Sequence, residues 1–110
     1  MMKKFIFSSL LLLTSHLMFG QIEVKYFNAG WNAANDVSWV EKLSDCEIEK
    51  YDIGAKPADA GTFKVVVVPT ILIFQDGEEV ERYQADLSFK MAATREEIQD
   101  YIDELVMSAF

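Results

Sequence analysis

From residue 22 onward the chain sets short apolar blocks against polar ones at two different periods. Residues 22–27 are dominated by Ile22, Val24, Tyr26 and Phe27 and end at Asn28-Ala29-Gly30, residue types that break regular structure, so a buried strand is predicted. Across residues 32–45, Val37, Val40 and Leu43 recur three apart, Trp39 lies at the margin, and Glu41, Lys42 and Asp45 fall on the other side. That spacing predicts an amphipathic helix. Residues 48–53 place Ile48, Tyr51 and Ile53 among charged neighbours and predict a second strand, stopped by Gly54 and Pro57.

Residues 56–64 suit a short helix. The four valines at 65–68 predict an extended run ending at Pro69, because β-branched side chains lose freedom in a helix. Residues 71–74 and 80–83 flank Gln75-Asp76-Gly77-Glu78, and Asp-Gly between apolar runs predicts a tight antiparallel hairpin because glycine accepts positive φ. Thr94 and Glu97 have capping-box spacing, and Ile98, Tyr101, Ile102, Leu105, Val106 and Ala109 then share one helical face. Residues 84–93 carry Leu87, Phe89 and Met91 without a period, and fit either a strand extension or a docked loop. The order of elements, with no internal repeat or linker, predicts one α/β domain: a mixed sheet flanked by helices.

The N-terminus reads differently. Lys3 and Lys4 precede an apolar stretch from residue 5 to 13, a mixed Thr14-Ser15-His16 segment follows, and Gly20 offers a small residue before a cut. This is the grammar of a signal peptide over residues 1–20, leaving a domain of residues 21–110. Ser8, Ser9, Thr14, Ser15 and His16 interrupt the stretch, and a membrane anchor needs roughly 20 apolar residues, so no membrane span is expected after cleavage. Export to the periplasm or the extracellular space is the expectation, and no cysteine stands at the cut to carry a lipid.

Charge and composition exclude several function classes. Without Lys3 and Lys4, 8 basic residues stand against 18 acidic ones, a net charge of −10 that disfavours nucleic acid. His16, the only histidine, lies in the segment expected to be removed, and Cys46 is the only cysteine. Histidine-dependent triads and Cys/His zinc sites are therefore excluded, and no metal or cofactor is expected. Glu78, Glu79 and Glu81 follow a tight turn with no apolar enclosure, and read as a solvated hairpin rather than paired catalytic acids.

Two local runs, Val24-Lys25-Tyr26-Phe27-Asn28-Ala29-Gly30-Trp31 and Val68-Pro69-Thr70 followed by Ile71-Leu72-Ile73-Phe74, together with the element order, resemble the thioredoxin superfamily. The resemblance covers nearly all of the chain beyond residue 24. It implies a shortened thioredoxin-like fold with a four- to five-stranded mixed sheet, the family's usual first strand and helix being missing or reduced. In active relatives the tryptophan is followed by Cys-x-x-Cys at a helix start, whereas here Trp31 is followed by Asn32-Ala33-Ala34-Asn35. That chemistry needs a thiolate to attack a disulfide and a second thiol one turn later to resolve it, and an amide does neither. By the same resemblance Tyr26 stands where the family carries a buried acid, and Pro69 follows a cis peptide bond beside the start of that helix.

The resemblance thus implies no dithiol-disulfide exchange. Trp31, Asn32, Asn35, Val68, Pro69 and Thr70 become candidates for a surface that binds a peptide or protein partner. Each has a plain structural reading beside it: Asn32 and Asn35 as helix caps, Pro69 as a fold-defining bend. Cys46 is open to three readings: a buried core thiol in a monomer, an exposed cysteine linking two copies into a dimer with a structural or assembly role, or the single thiol of an atypical oxidoreductase.

Overall fold

The computed structural model describes residues 21–109, and the expected signal peptide therefore lies outside the described residues. Four strands form one sheet: β1 (Ile22–Asn28), β2 (Glu47–Asp52), β3 (Thr70–Gln75) and β4 (Glu78–Gln84), in the order β2-β1-β3-β4. β1 pairs parallel with β2 and antiparallel with β3, and β3 pairs antiparallel with β4, giving the mixed sheet that the element order predicts. The β3–β4 turn is made by Asp76 and Gly77, both at positive φ, as a two-residue hairpin requires.

Alternation along β1 sorts the core into two layers. Val24 and Tyr26 face one side of the sheet with Ile71 and Ile73, where they meet Val37, Val40, Leu43, Ile98 and Ile102. Phe27 faces the other with Leu72, Val65 and Val68, closed by Phe63 of the short helix α1 (Pro57–Phe63). Arg82 of β4 fixes the end of α1, donating to the carbonyls of Phe63 and Lys64 at 2.9 Å each.

Helix α2 (Arg95–Ser108) opens with the expected capping box: the Glu97 N–H donates to Thr94 Oγ1 at 3.1 Å and the Thr94 N–H to Glu97 Oε1 at 2.9 Å. Such a cap contributes about 1 kcal/mol. Ile98 and Ile102 are both fully buried, each worth roughly 2 kcal/mol of transfer free energy. Packing on the sheet, more than the cap, holds α2 in place.

Two expectations are corrected. Residues 32–45 do not form an amphipathic α-helix but two 3-10 helices, Gly30–Asn35 and Ser38–Lys42, separated by a break at Asp36 and Val37. The strict spacing of three between Val37, Val40 and Leu43 matches three residues per turn, which stacks those side chains directly above one another. The valines at 65–68 form no strand: Val65 and Val68 are buried, Val66 is exposed, and strand pairing starts only at Thr70. Residues 84–93 divide, with β4 ending at Gln84 and a loop closed by an Ala85–Met91 bridge.

Candidate functional site

Three connections meet at one end of the sheet, because Phe27 pairs with Thr70 and Thr70 pairs with Gln84. They are the 3-10 helix after β1, the valine loop before β3, and the loop of residues 85–91 after β4. The Val68–Pro69 peptide bond in the second of them is cis.

The 3-10 helix at Gly30–Asn35 is kinked at Asn32, and three residues per turn still divide it among three directions. Trp31 points out and is 68% exposed. Asn32 and Asn35 point inward and touch: Asn35 Nδ2 donates to Asn32 Oδ1 at 2.9 Å. Gly30 and Ala33 face the open end of β2, with Asp36 continuing their line.

The asparagines do not cap this helix. Its N-cap is Ala29, with no side-chain bond to the helix start. Instead, Asn32 Nδ2 donates to Asn28 Oδ1 at 3.1 Å and to the Phe89 carbonyl at 3.2 Å, and Asn28 Nδ2 reaches the Asn32 carbonyl at 3.4 Å. A chain of three amides therefore ties the end of β1 to the 85–91 loop. Asn32 is buried, and leaving such amides without partners would cost about 1–3 kcal/mol each.

The 85–91 loop is itself hydrogen-bonded. Asp86 Oδ1 accepts from the Ser88 N–H at 2.8 Å, the Ser88 hydroxyl at 2.6 Å and the Lys90 N–H at 3.2 Å. These donors, the Ser88 hydroxyl first, hold the Asp86 carboxyl below its ordinary range. Phe89 takes a left-handed backbone, φ +64°, uncommon for a bulky residue, and its ring meets Trp31 edge-on at 5.4 Å.

Of the six residues singled out in the sequence, Trp31 alone is strongly exposed and Asn35 is half-buried. Asn32, Val68, Pro69 and Thr70 are buried, with the Thr70 hydroxyl donating to the Val67 carbonyl at 2.7 Å. The fold brings the first and second groups to the same end of the sheet, but the 68–70 segment is buried there, backbone and side chains alike. Three apolar residues at this end are not among the six, Val66, Leu87 and Phe89, and all three are exposed. The Asp86-x-Ser88 pattern was the available signal for a tight loop that would lift Phe89 out of a strand. Val66 gave none, since its neighbours are identical.

Tyr26, in the place where the resemblance puts an acid, is buried. Its hydroxyl donates to Asp36 Oδ1 at 2.5 Å and accepts the Val37 N–H at 2.9 Å. Burial first, and then the Asp36 partner, hold its phenol above the ordinary range. Trp39 and Cys46 are both partly buried and pack against the core on the Val24 side of the sheet.

Cys46 is half-buried and directly precedes β2, whose first residue, Glu47, pairs with Glu23 at the start of β1. Thr70, next to Pro69, pairs with Phe27. The thiol and the proline are thus separated by at least four positions along β1, about 13 Å at ~3.3 Å per residue. Burial, and then the charge of Asp45, push the Cys46 thiol up to about 11. Among the described residues no group of three or more His, Cys, Asp or Glu side chains is arranged to hold a metal, and no helix is long and apolar enough to cross a membrane.

No family model matches the chain. Thioredoxins of Mycobacterium bovis and Mycobacterium tuberculosis are 38% identical to it over 42 residues, 38% of this chain and 36% of theirs. The match therefore spans little more than a third of these curated relatives. Among solved structures the chain is similar to a mutant thioredoxin from Halobacterium salinarum, with TM-score 0.64 and 26% identity over 77% of this chain and 74% of that one. It is also similar in fold to thioredoxin 1 of Thermosipho africanus, with TM-score 0.58 and 19% identity over 77% and 94% of the two chains.

Proposed function

The chain belongs to the thioredoxin superfamily, and from that premise we propose that it is an exported, noncatalytic module that binds an extended segment of a protein partner beside Trp31. The observation that carries this reading is the state of Asn32. At the position where the resemblance expects an attacking thiolate stands a buried amide whose donors and acceptor are engaged by Asn28, Asn35 and Phe89. An engaged amide is neither a nucleophile nor an electron donor.

The remaining sulfur supports the same reading. Cys46 lies toward the opposite end of β1 and its thiol is pushed up, both unfavourable for thiolate chemistry at this site. Binding is favoured by what stays exposed: the Trp31 ring, the Phe89 ring against it, and Val66 in the loop before the cis proline. An exposed aromatic anchor with apolar neighbours suits a partner segment. Export rests on Lys3, Lys4 and the apolar stretch behind them, and the acidic balance keeps such a domain soluble.

Two measurements test the reading together. In a dithiothreitol-driven insulin reduction assay the protein turns over at background rate, and a rate well above background that disappears in Cys46→Ser overturns the noncatalytic half. In a fluorescence titration with unfolded polypeptide, the emission of Trp31 shifts, and Trp31→Ala abolishes binding without lowering the unfolding midpoint. Unchanged binding in Trp31→Ala overturns the other half.

A further inference from the structure

Gln21, which precedes β1, is tied to the tip of the β3–β4 hairpin by two hydrogen bonds. Its N–H donates to Asp76 Oδ1 at 3.2 Å, and its carbonyl accepts the Asp76 N–H at 2.9 Å. The second bond extends by one residue the β1–β3 ladder, in which Ile22 pairs with Gln75. Asp76 is exposed and sits at positive φ in the turn, and among the described residues no lysine or arginine forms an ion pair with it.

The same nitrogen is the one that signal-peptide removal would free. Gly20 is the small residue expected before the cut, so the bond to be broken joins Gly20 to Gln21. Its hydrolysis consumes one water: the oxygen goes to the Gly20 carbonyl carbon and both protons go to the Gln21 nitrogen. Near neutral pH the products are a carboxylate on the released segment and an α-ammonium on Gln21.

We propose that cleavage between Gly20 and Gln21 is a maturation step that the fold completes: the freed α-ammonium of Gln21 forms an ion pair with Asp76 and pins the new N-terminus to the hairpin. The inference rests on the export reading above and not on the Trp31 surface, which lies at the other end of β1. The nitrogen does not have to move, because 3.2 Å from a carboxylate oxygen is already ion-pair range. One of its three N–H groups keeps the bond to Oδ1, and the others are left for water or the second carboxylate oxygen. A cut at an earlier residue would leave a neutral peptide N–H beside Asp76, and a cut after Gln21 would remove the ladder bond as well. The pair is exposed, so its effect is modest and sensitive to salt.

The test starts from the full-length chain expressed in a secreting host. Intact mass and N-terminal sequencing of the exported protein should give a chain that begins at Gln21 with an open amine. Acylation of that amine by a succinimidyl ester at about pH 7, where only the unprotonated form reacts, is then followed by peptide mapping in the parent and in Asp76→Asn. Asparagine keeps the Oδ1 acceptor and suits a positive-φ position before glycine, so the substitution removes the charge and leaves the turn. The variant should be acylated about two- to fivefold faster at low salt, with the two rates converging at about 1 M salt. Three results overturn the proposal: export with the cut elsewhere; equal acylation rates at low salt; or an N-terminus closed to a lactam, its amine having attacked its own side-chain amide and expelled ammonia. Each of these leaves the export reading standing, whereas a chain retained in the cell with residues 1–20 still attached overturns both.

Discussion

Asn32 and Phe89 lie 57 positions apart and are joined by one hydrogen bond, from the Asn32 side-chain amide to the Phe89 carbonyl at 3.2 Å. The same amide also donates to Asn28 and accepts from Asn35, so removing it breaks three bonds and orphans a buried acceptor. Asn32→Ala is expected to cost roughly 2 kcal/mol in urea unfolding, and Asn35→Ala, at the outer end of the chain of amides, less than about 1 kcal/mol. Hydrogen exchange of Phe89 and Lys90 amides should accelerate in the first variant and not in the second. A reversed ranking would show that the amide chain does not hold the loop.

Replacing both asparagines tests the positional match with active relatives. Asn32 and Asn35 already meet side chain to side chain at 2.9 Å, and their spacing is that of the missing dithiol. Asn32→Cys with Asn35→Cys should oxidise to an intramolecular disulfide and reduce insulin measurably above the parent protein. The short, kinked 3-10 helix behind them offers a weaker dipole than a full α-helix, so the rate should stay modest. A pair that oxidises but never turns over would show that sulfurs at these two positions do not suffice, and would direct attention to the surroundings of Tyr26.

The sheet and α2 were legible because their signals are local. Alternation in β1, the Asp76-Gly77 turn and the Thr94–Glu97 capping box each act within a few residues. Residues 32–45 were misread because three apolar residues spaced by three suit both helix types over so short a span, and the choice fell to the tertiary wedge between β1 and α2. The exposure of Trp31 was legible in the breaker residues before it. The burial of Asn32 and the closure of the 85–91 loop depend on a contact across 57 positions, which no local pattern carries.

Tyr26 offers a cleaner test of packing against hydrogen bonding. Tyr26→Phe keeps the buried ring but leaves the Val37 N–H without its acceptor, while the exposed Asp36 can return to water. The expected cost is roughly 1–3 kcal/mol, read as a lowered urea midpoint with an unchanged slope. Tyr26→Ala also loses the ring and should cost more, about 3–5 kcal/mol. If the phenylalanine variant matches the parent, water has replaced the hydroxyl.

For Cys46 the expectation is slow chemistry. A thiol pushed from its ordinary 9.0 up to about 11 holds roughly a hundredfold less thiolate at neutral pH. Alkylation by iodoacetamide at pH 7.5 should therefore lag far behind that of an unfolded control and climb until pH 11. A non-reducing gel of freshly purified protein should show monomer. Fast labelling at pH 7.5, or a dominant disulfide-linked dimer, would return the single thiol to consideration as a functional group.

The pH response of the 85–91 loop follows from Asp86. Its carboxyl, held below the ordinary 3.8 by the Ser88 hydroxyl and then by the Ser88 and Lys90 N–H groups, binds its proton less readily in the folded loop than in an open one. The loop's contribution is therefore complete above about pH 4 and is lost as the pH falls through the lower, folded value. The Ser88 and Lys90 amide shifts should titrate together with a midpoint below 3.8, and Asp86→Asn should flatten both curves. Because Phe89 lies against Trp31, tryptophan fluorescence should change over the same range in the parent protein and not in the variant. A midpoint at or above the ordinary carboxylate value would mean that these hydrogen bonds do not favour the charged form and that the loop is held by Asn32 alone.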